Sequence, residues 1–216
     1  MWRRLLIVLA LLLLSTSALP AAARPAEPTP GAFDYYVLSL SWSPQYCAAS
    51  GGSRDAQCGG YRPFAFVLHG LWPQFEKGFP KDCGVGRRPS KRLVESMLDI
   101  MPSPALVQHE WSTHGSCSGM STDEYFATAR RAFDSIEIPP PYQGRPQEVY
   151  VAPSKLKRQF LDANPRLRAN GVALLCSGRY LQEVRICLDR QLAPHACGRD
   201  VRDRCKGAEI IVRPVR

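Results

Sequence analysis

Phe64-Ala65-Phe66-Val67-Leu68-His69-Gly70-Leu71-Trp72-Pro73-Gln74 begins as an alternating segment. Phe64, Phe66 and Leu68 fall on one side of an extended chain, and Ala65, Val67 and His69 on the other, because successive strand side chains point to opposite faces. This predicts a strand that sends its aromatic face into a core and ends at His69. Gly70 follows, a residue that lets a chain turn sharply. Asp34 to Trp42 alternates in the same way, with Tyr36, Leu38, Leu40 and Trp42 set against Tyr35, Val37, Ser39 and Ser41. Strand-like runs recur at Val172–Cys176, Leu181–Leu188 and Glu209–Val212, the first two joined by a turn at Ser177-Gly178. Helices are predicted after Ser90, with Leu93, Val94, Met97 and Leu98 at helical spacing, and after Ser121, where Ser121-x-x-Glu124 forms a capping box. A shorter one is predicted after Ser154 and stops at Asn164-Pro165. Strands and helices mix without regular β–α alternation. The expected class is α+β, a central antiparallel sheet with helices packed mainly on one side.

The N-terminus predicts export. Met1-Trp2-Arg3-Arg4 precedes an apolar run from Leu5 to Leu14, and small residues follow up to Ala23. A basic start, a short greasy run and small residues make a secretory signal peptide, assigned to residues 1–23. Residues 24–32 read as a Pro-rich linker, and residues 33–216 as a single domain. The mature chain is expected to be secreted or periplasmic, with no stable membrane association, and monomeric. Eight cysteines in such a chain imply four disulfides. No close Cys-x-x-Cys pair is present to suggest structural zinc. The formal charge of +9 favours polyanionic partners without identifying one.

The second informative stretch is His109-Glu110-Trp111-Ser112-Thr113-His114-Gly115-Ser116-Cys117. Read as a helical turn or two closed by Gly115, it puts Glu110 and His114 ~40° apart around the axis, while His109 and His114 diverge by ~140°. That argues against a zinc protease motif, which needs two histidines at a spacing of four. A carboxylate beside a histidine favours the imidazolium. Two imidazoles in different protonation states can serve as acid and base on one substrate, and His69 is the available partner for His114. The Gly-x-Ser-x-Gly nucleophile signature is absent.

The two segments resemble the two active-site motifs of the ribonuclease T2 family, in the family's order and at its usual separation. Trp42-Ser43-Pro44-Gln45-Tyr46-Cys47 resembles its opening strand and first cysteine, so the likeness spans most of residues 33–205. The resemblance implies an endoribonuclease that cleaves single-stranded RNA with broad base tolerance through a 2′,3′-cyclic phosphate, with no metal or other cofactor. It implies His114 as base, His69 as acid, Glu110 as the stabiliser of the charged site, and His109 as phosphate holder. Trp72 is a candidate platform for ribose or base. The disulfides implied are Cys47–Cys58, Cys83–Cys117, Cys176–Cys205 and Cys187–Cys197, one of 105 possible pairings. One position departs: Thr113 stands where the family often has lysine. A binding protein that kept the fold and a metal-dependent nuclease are the rival classes.

Overall fold

The computed structural model describes residues 29–50, 56–59, 62–84, 87–144 and 147–215. The signal-peptide assignment and most of the linker lie outside the described residues. Gly31, within the linker, donates its N–H to the Cys117 carbonyl at 2.8 Å.

The sheet is built on β1 (Tyr35–Trp42), with β2 (Phe66–Gln74) antiparallel on one side and β5 (Tyr180–Leu188) antiparallel on the other. β4 (Val172–Ser177) forms an antiparallel hairpin with β5. Two short strands, β3 (Val149–Val151) and β6 (Ile210–Val212), extend the other end in the order β2-β1-β5-β6-β3. β5 meets β6 through a parallel bridge at Tyr180 and Ile211, a departure from the all-antiparallel expectation. β3 has no counterpart in the sequence reading. Three residues are too few for a period, and the strand exists because β6 pairs with it.

The alternation of β1 decides which face is which. Tyr36, Leu38, Leu40 and Trp42 join Leu68, Val184, Ile186 and Leu188 in the main core. Over that face pack α3 (Lys91–Met97), α5 (Thr122–Asp134) and α6 (Pro153–Ala163), through Met97, Phe126, Ala129, Leu156 and Phe160. The capping box forms as predicted: Ser121 Oγ accepts from the Glu124 N–H while Glu124 accepts from the Ser121 N–H. α6 begins at Pro153 behind Ala152, not behind Ser154. Proline suits a first helical position because its missing N–H has no partner there anyway. The opposite face of β1 carries Tyr35 and Val37, which pack with Trp72, Ala173 and Cys187. The candidate site lies on this second face.

α1 (Ser43–Ala49) and α2 (Ala56–Gly59) follow β1 and are joined by Cys47–Cys58. Three more disulfides close Cys83–Cys117, Cys176–Cys205 and Cys187–Cys197. No helix among the described residues is long and apolar enough to cross a membrane.

Candidate active site

β2 does not end at His69, and Gly70 does not turn the chain. The strand runs on to Gln74, with His69 as an extra residue inside it. Ser39 of β1 lies opposite Gly70 and the next residue, Leu40, lies opposite Leu68, so His69 has no ladder partner. This is a β-bulge, which re-aims side chains and interrupts the alternation. Leu68 before it and Leu71 after it both enter the main core. His69 and Trp72 are thereby delivered together to the other face, which strict alternation would forbid.

Gly70 answers a space requirement. A Cβ there would collide with Glu110 Oε2 and Trp72 Nε1, and would lie 2.9 Å from Glu110 Cδ. α4 (Pro104–Thr113) brings Glu110 to this point. The helix starts five residues before His109, with Ser103 capping and Pro104 at its first turn. His114 lies just past its end, and a 3₁₀ turn over Gly115–Ser118 follows. Val107 and Trp111 anchor α4 in the core, where Trp111 meets Tyr125 edge-on at 5.8 Å.

Trp72 is the centre of the cluster. It is 8% exposed. Its indole N–H donates to Glu110 Oε2 at 2.6 Å. The His69 ring lies 5.1 Å away edge-on, and the His114 ring 5.3 Å away. His69, Glu110 and His114 are therefore brought together around one indole. His109 is solvent-exposed and lies outside this ring of contacts. It borders a cavity of about 440 Å³ with His69, Val67, Leu106 and Glu183. Among the described residues no group of three or more His, Cys, Asp or Glu side chains is placed to hold a metal ion.

The sequence reading missed Glu183. On β5, its Oε1 accepts from His69 Nδ1 at 2.8 Å, and its Oε2 accepts from Arg185 Nε at 2.9 Å. Arg185 also lies over Trp72, with its guanidinium carbon 4.9 Å from the ring centroid. A signal was available. Val184, Ile186 and Leu188 mark the core face of β5, so Glu183 and Arg185 must share the face of His69. Phe79 is likewise placed at the site, 49% exposed and 6.0 Å from the His114 ring.

These surroundings drive the two histidines apart. Burial alone would lower the pKa of His69, but the hydrogen bond and charge of Glu183, aided by Glu110, raise it above the ordinary value. Burial pushes His114 down to about 4, and the positive charges of His109, His69 and Arg185 add to the effect. Glu183 resists its own burial through His69 and Arg185 and is held down at about 2. Glu110 is pushed up to about 7 by burial, which outweighs the pull of His69 and the Trp72 hydrogen bond. His114 Nδ1 is buried with no hydrogen-bond partner among the described residues. That leaves Nε2 as the nitrogen open to a substrate. The site thus sets one imidazole above and one below its ordinary pKa around the same Trp72 ring, a pairing suited to giving one proton and taking another.

The chain is similar to known ribonucleases along most of its length. The family model described as "Ribonuclease T2 family" matches residues 33–197. A "Ribonuclease" from Aeromonas hydrophila is 34% identical over 79% of this chain and 79% of its own. A "Probable ribonuclease" from Haemophilus influenzae is 38% identical over 49% of this chain and 44% of its own. Among solved structures, RNase NT in complex with 5′-AMP superposes with a TM-score of 0.66 at 20% identity, covering 85% of this chain and 99% of that one. Ribonuclease MC1 from bitter gourd seeds gives a TM-score of 0.63 at 24% identity, covering 82% and 99%. With its family model matched from Phe33 to Cys197 and a relative of this identity along most of its length, the chain belongs to the ribonuclease T2 family of enzymes.

Proposed function

We propose that this chain cleaves single-stranded RNA by transphosphorylation, with His114 as base and His69 as acid. The observation that carries this reading is the convergence of His69, Glu110 and His114 on the Trp72 ring, in surroundings that raise the pKa of one histidine and lower that of the other. His114 Nε2 takes the proton of the ribose 2′-OH, whose oxygen attacks the adjacent phosphorus. The bond from phosphorus to the 5′-oxygen breaks, and His69 gives that oxygen its proton. The products are a 2′,3′-cyclic phosphate and a free 5′-OH. Glu110, neutral below about pH 7, presents a carboxyl that can donate to a phosphoryl oxygen without repelling it. His109, at the cavity rim, holds a flanking phosphate.

In this mechanism the two nucleotides take different sides of the site. The one that attacks lies on the His114 side, where Phe79 offers its exposed ring. The one that leaves lies on the His69 side, where the 440 Å³ cavity opens. A ring face and an apolar lining contact any base by stacking, which supports broad base tolerance. Trp72 has little open surface, so its service is to hold Glu110 and separate the histidines. Four disulfides and the basic, apolar, small-residue N-terminus support export to an oxidising compartment.

The test is an assay on RNA and on DNA of matching sequence, each with and without EDTA. Cleavage of RNA alone, unaffected by EDTA and ending in cyclic phosphate, is expected, because DNA has no 2′-OH. Cleavage of DNA or inhibition by EDTA rejects the mechanism.

The pH profile follows from the same shifts. The base fails as pH falls through about 4, where His114 takes up its proton. The acid fails as pH rises through the elevated pKa of His69. Glu183→Gln removes the charge that raises His69 while keeping a side chain able to bond it. The alkaline limb of kcat/KM should therefore move to lower pH, with the acid limb unmoved. An unmoved alkaline limb shows that Glu183 does not set the acid.

A further inference from the structure

The proposed reaction concentrates negative charge on the scissile phosphate, yet the buried carboxylate of Glu183 already borders His69, beside the carboxyl of Glu110. The histidines are cations only when protonated, and Thr113 brings none. Among the described residues, Arg185 is the one arginine or lysine joined to this cluster, through Glu183 and the Trp72 ring. Its position on the sheet explains how it gets there. Arg185 pairs across the sheet with Ser39, and Ser39 with Gly70. A serine and a glycine leave the floor low between β5 and β2, so the guanidinium can lie over Trp72.

We propose that Arg185 contacts the scissile phosphate and supplies the permanent positive charge that stabilises the five-coordinate transition state. The assignment rests on the ribonuclease reading above. A guanidinium stays charged at every working pH and binds phosphoryl oxygens through a rigid fork of donors. Here Nε and Nη2 are both held on Glu183 Oε2, which fixes the plane of the fork. Nη1 has no protein partner among the described residues, and the side chain is 25% exposed. The charge also acts on both ends of the reaction path, since it opposes protonation of His69 and of His114 alike. Arg185, Glu183 and protonated His69 together carry one net positive charge, which a phosphodiester monoanion neutralises. Preorganised charge in a partly water-excluded site is where such stabilisation is strongest.

The experiment measures kcat and KM on single-stranded RNA across the pH range for the wild type, Arg185→Gln, Arg185→Lys and Arg185→Gln/Thr113→Lys, with a thermal melt of each. Glutamine can still bond Glu183 and lie on Trp72 but carries no charge. Arg185→Gln should lose about 30-fold or more in kcat, with a smaller change in KM, and the loss should persist at every pH. Arg185→Lys should keep more activity than Arg185→Gln, and the double variant should recover about fivefold or more over Arg185→Gln by placing a cation next to His114. An Arg185→Gln rate within about threefold of wild type overturns the proposal. So does a loss that vanishes when the pH is shifted, because Arg185 would then act only through Glu183 and His69. If Arg185→Gln melts below the assay temperature, Arg185→Lys decides: a drop of about tenfold or more supports the contact and a rate within about twofold overturns it. A wild-type chain that leaves RNA intact overturns the ribonuclease reading and this proposal with it. Wild-type cleavage with an unaffected Arg185→Gln overturns this proposal alone.

Discussion

His114→Ala and His69→Phe should each cut kcat/KM on single-stranded RNA by about 10²–10⁴, the usual worth of one positioned proton-transfer group. The two losses should differ in kind. His114→Ala removes the group that activates the 2′-OH, so no change of leaving group rescues it. His69→Phe removes the group that protonates the 5′-oxygen. A substrate whose leaving group is a phenolate needs no such proton, so on a nucleoside 3′-aryl phosphate His69→Phe should regain most of its rate. Equal losses on the aryl ester would remove the division of labour between the two histidines. Folding should survive both changes. His114 is half-buried, with a nitrogen that lacks any bond to lose. Phenylalanine can keep the edge-on contact with Trp72, and Glu183 retains Arg185 as a partner after His69 is gone. Near-normal rates for either variant would remove that residue from the chemistry.

Gly70→Ala should be nearly as damaging, although it adds one methyl group and touches no substrate. The new Cβ falls on the Glu110 carboxylate and the Trp72 indole nitrogen. Neither can retreat cheaply: Glu110 is 1% exposed, Trp72 is 8% exposed, and the hydrogen bond between them is 2.6 Å long. Forcing them apart leaves a buried carboxyl without its donor and swings the ring that spaces the histidines. A cost of about 1–3 kcal/mol in stability is expected from overpacking, with a loss of about 10²-fold or more in kcat/KM from the displaced site. Gly59→Ala is the control, because a Cβ there meets nothing within 4 Å. It should shift stability by no more than about 0.5 kcal/mol and leave the rate unchanged. If Gly70→Ala melts and turns over like the control, the close packing around Glu110 is not what holds the site.

Much of this architecture was legible in the sequence because it follows local rules. β1 could be read from its alternation, α5 from its capping box, and the number of disulfides from an even set of cysteines. His69, Glu110 and His114 could be singled out because two short segments hold three of the four histidines. What was not legible depends on distant partners. The bulge at His69 is defined by which residues of β1 lie opposite, and Gly70 alone looked like a turn. The start of α4 was missed because the stretch was read from His109 onward, although Ser103-Pro104 ahead of it is a capping residue followed by a favourable first-turn residue. Glu183 and Arg185 looked like ordinary polar residues of a half-exposed strand. Alternation along β5 put them on the face away from the core, but only the pairing of β5 with β1, and of β1 with β2, brings them within reach of His69.

The extra residue in β2 also determines what this strand can lose. Delete His69 and the ladder closes into an unbroken strand with its pairing unchanged: Leu40 still faces Leu68, and Ser39 still faces Gly70. Leu71 keeps its place in the main core and Trp72 its place on the other face. What disappears is one residue without a ladder partner, and the imidazole with it. The sheet is thus indifferent to the residue on which the proposed chemistry depends, and the bulge works as a removable mount that carries a side chain without altering the frame around it.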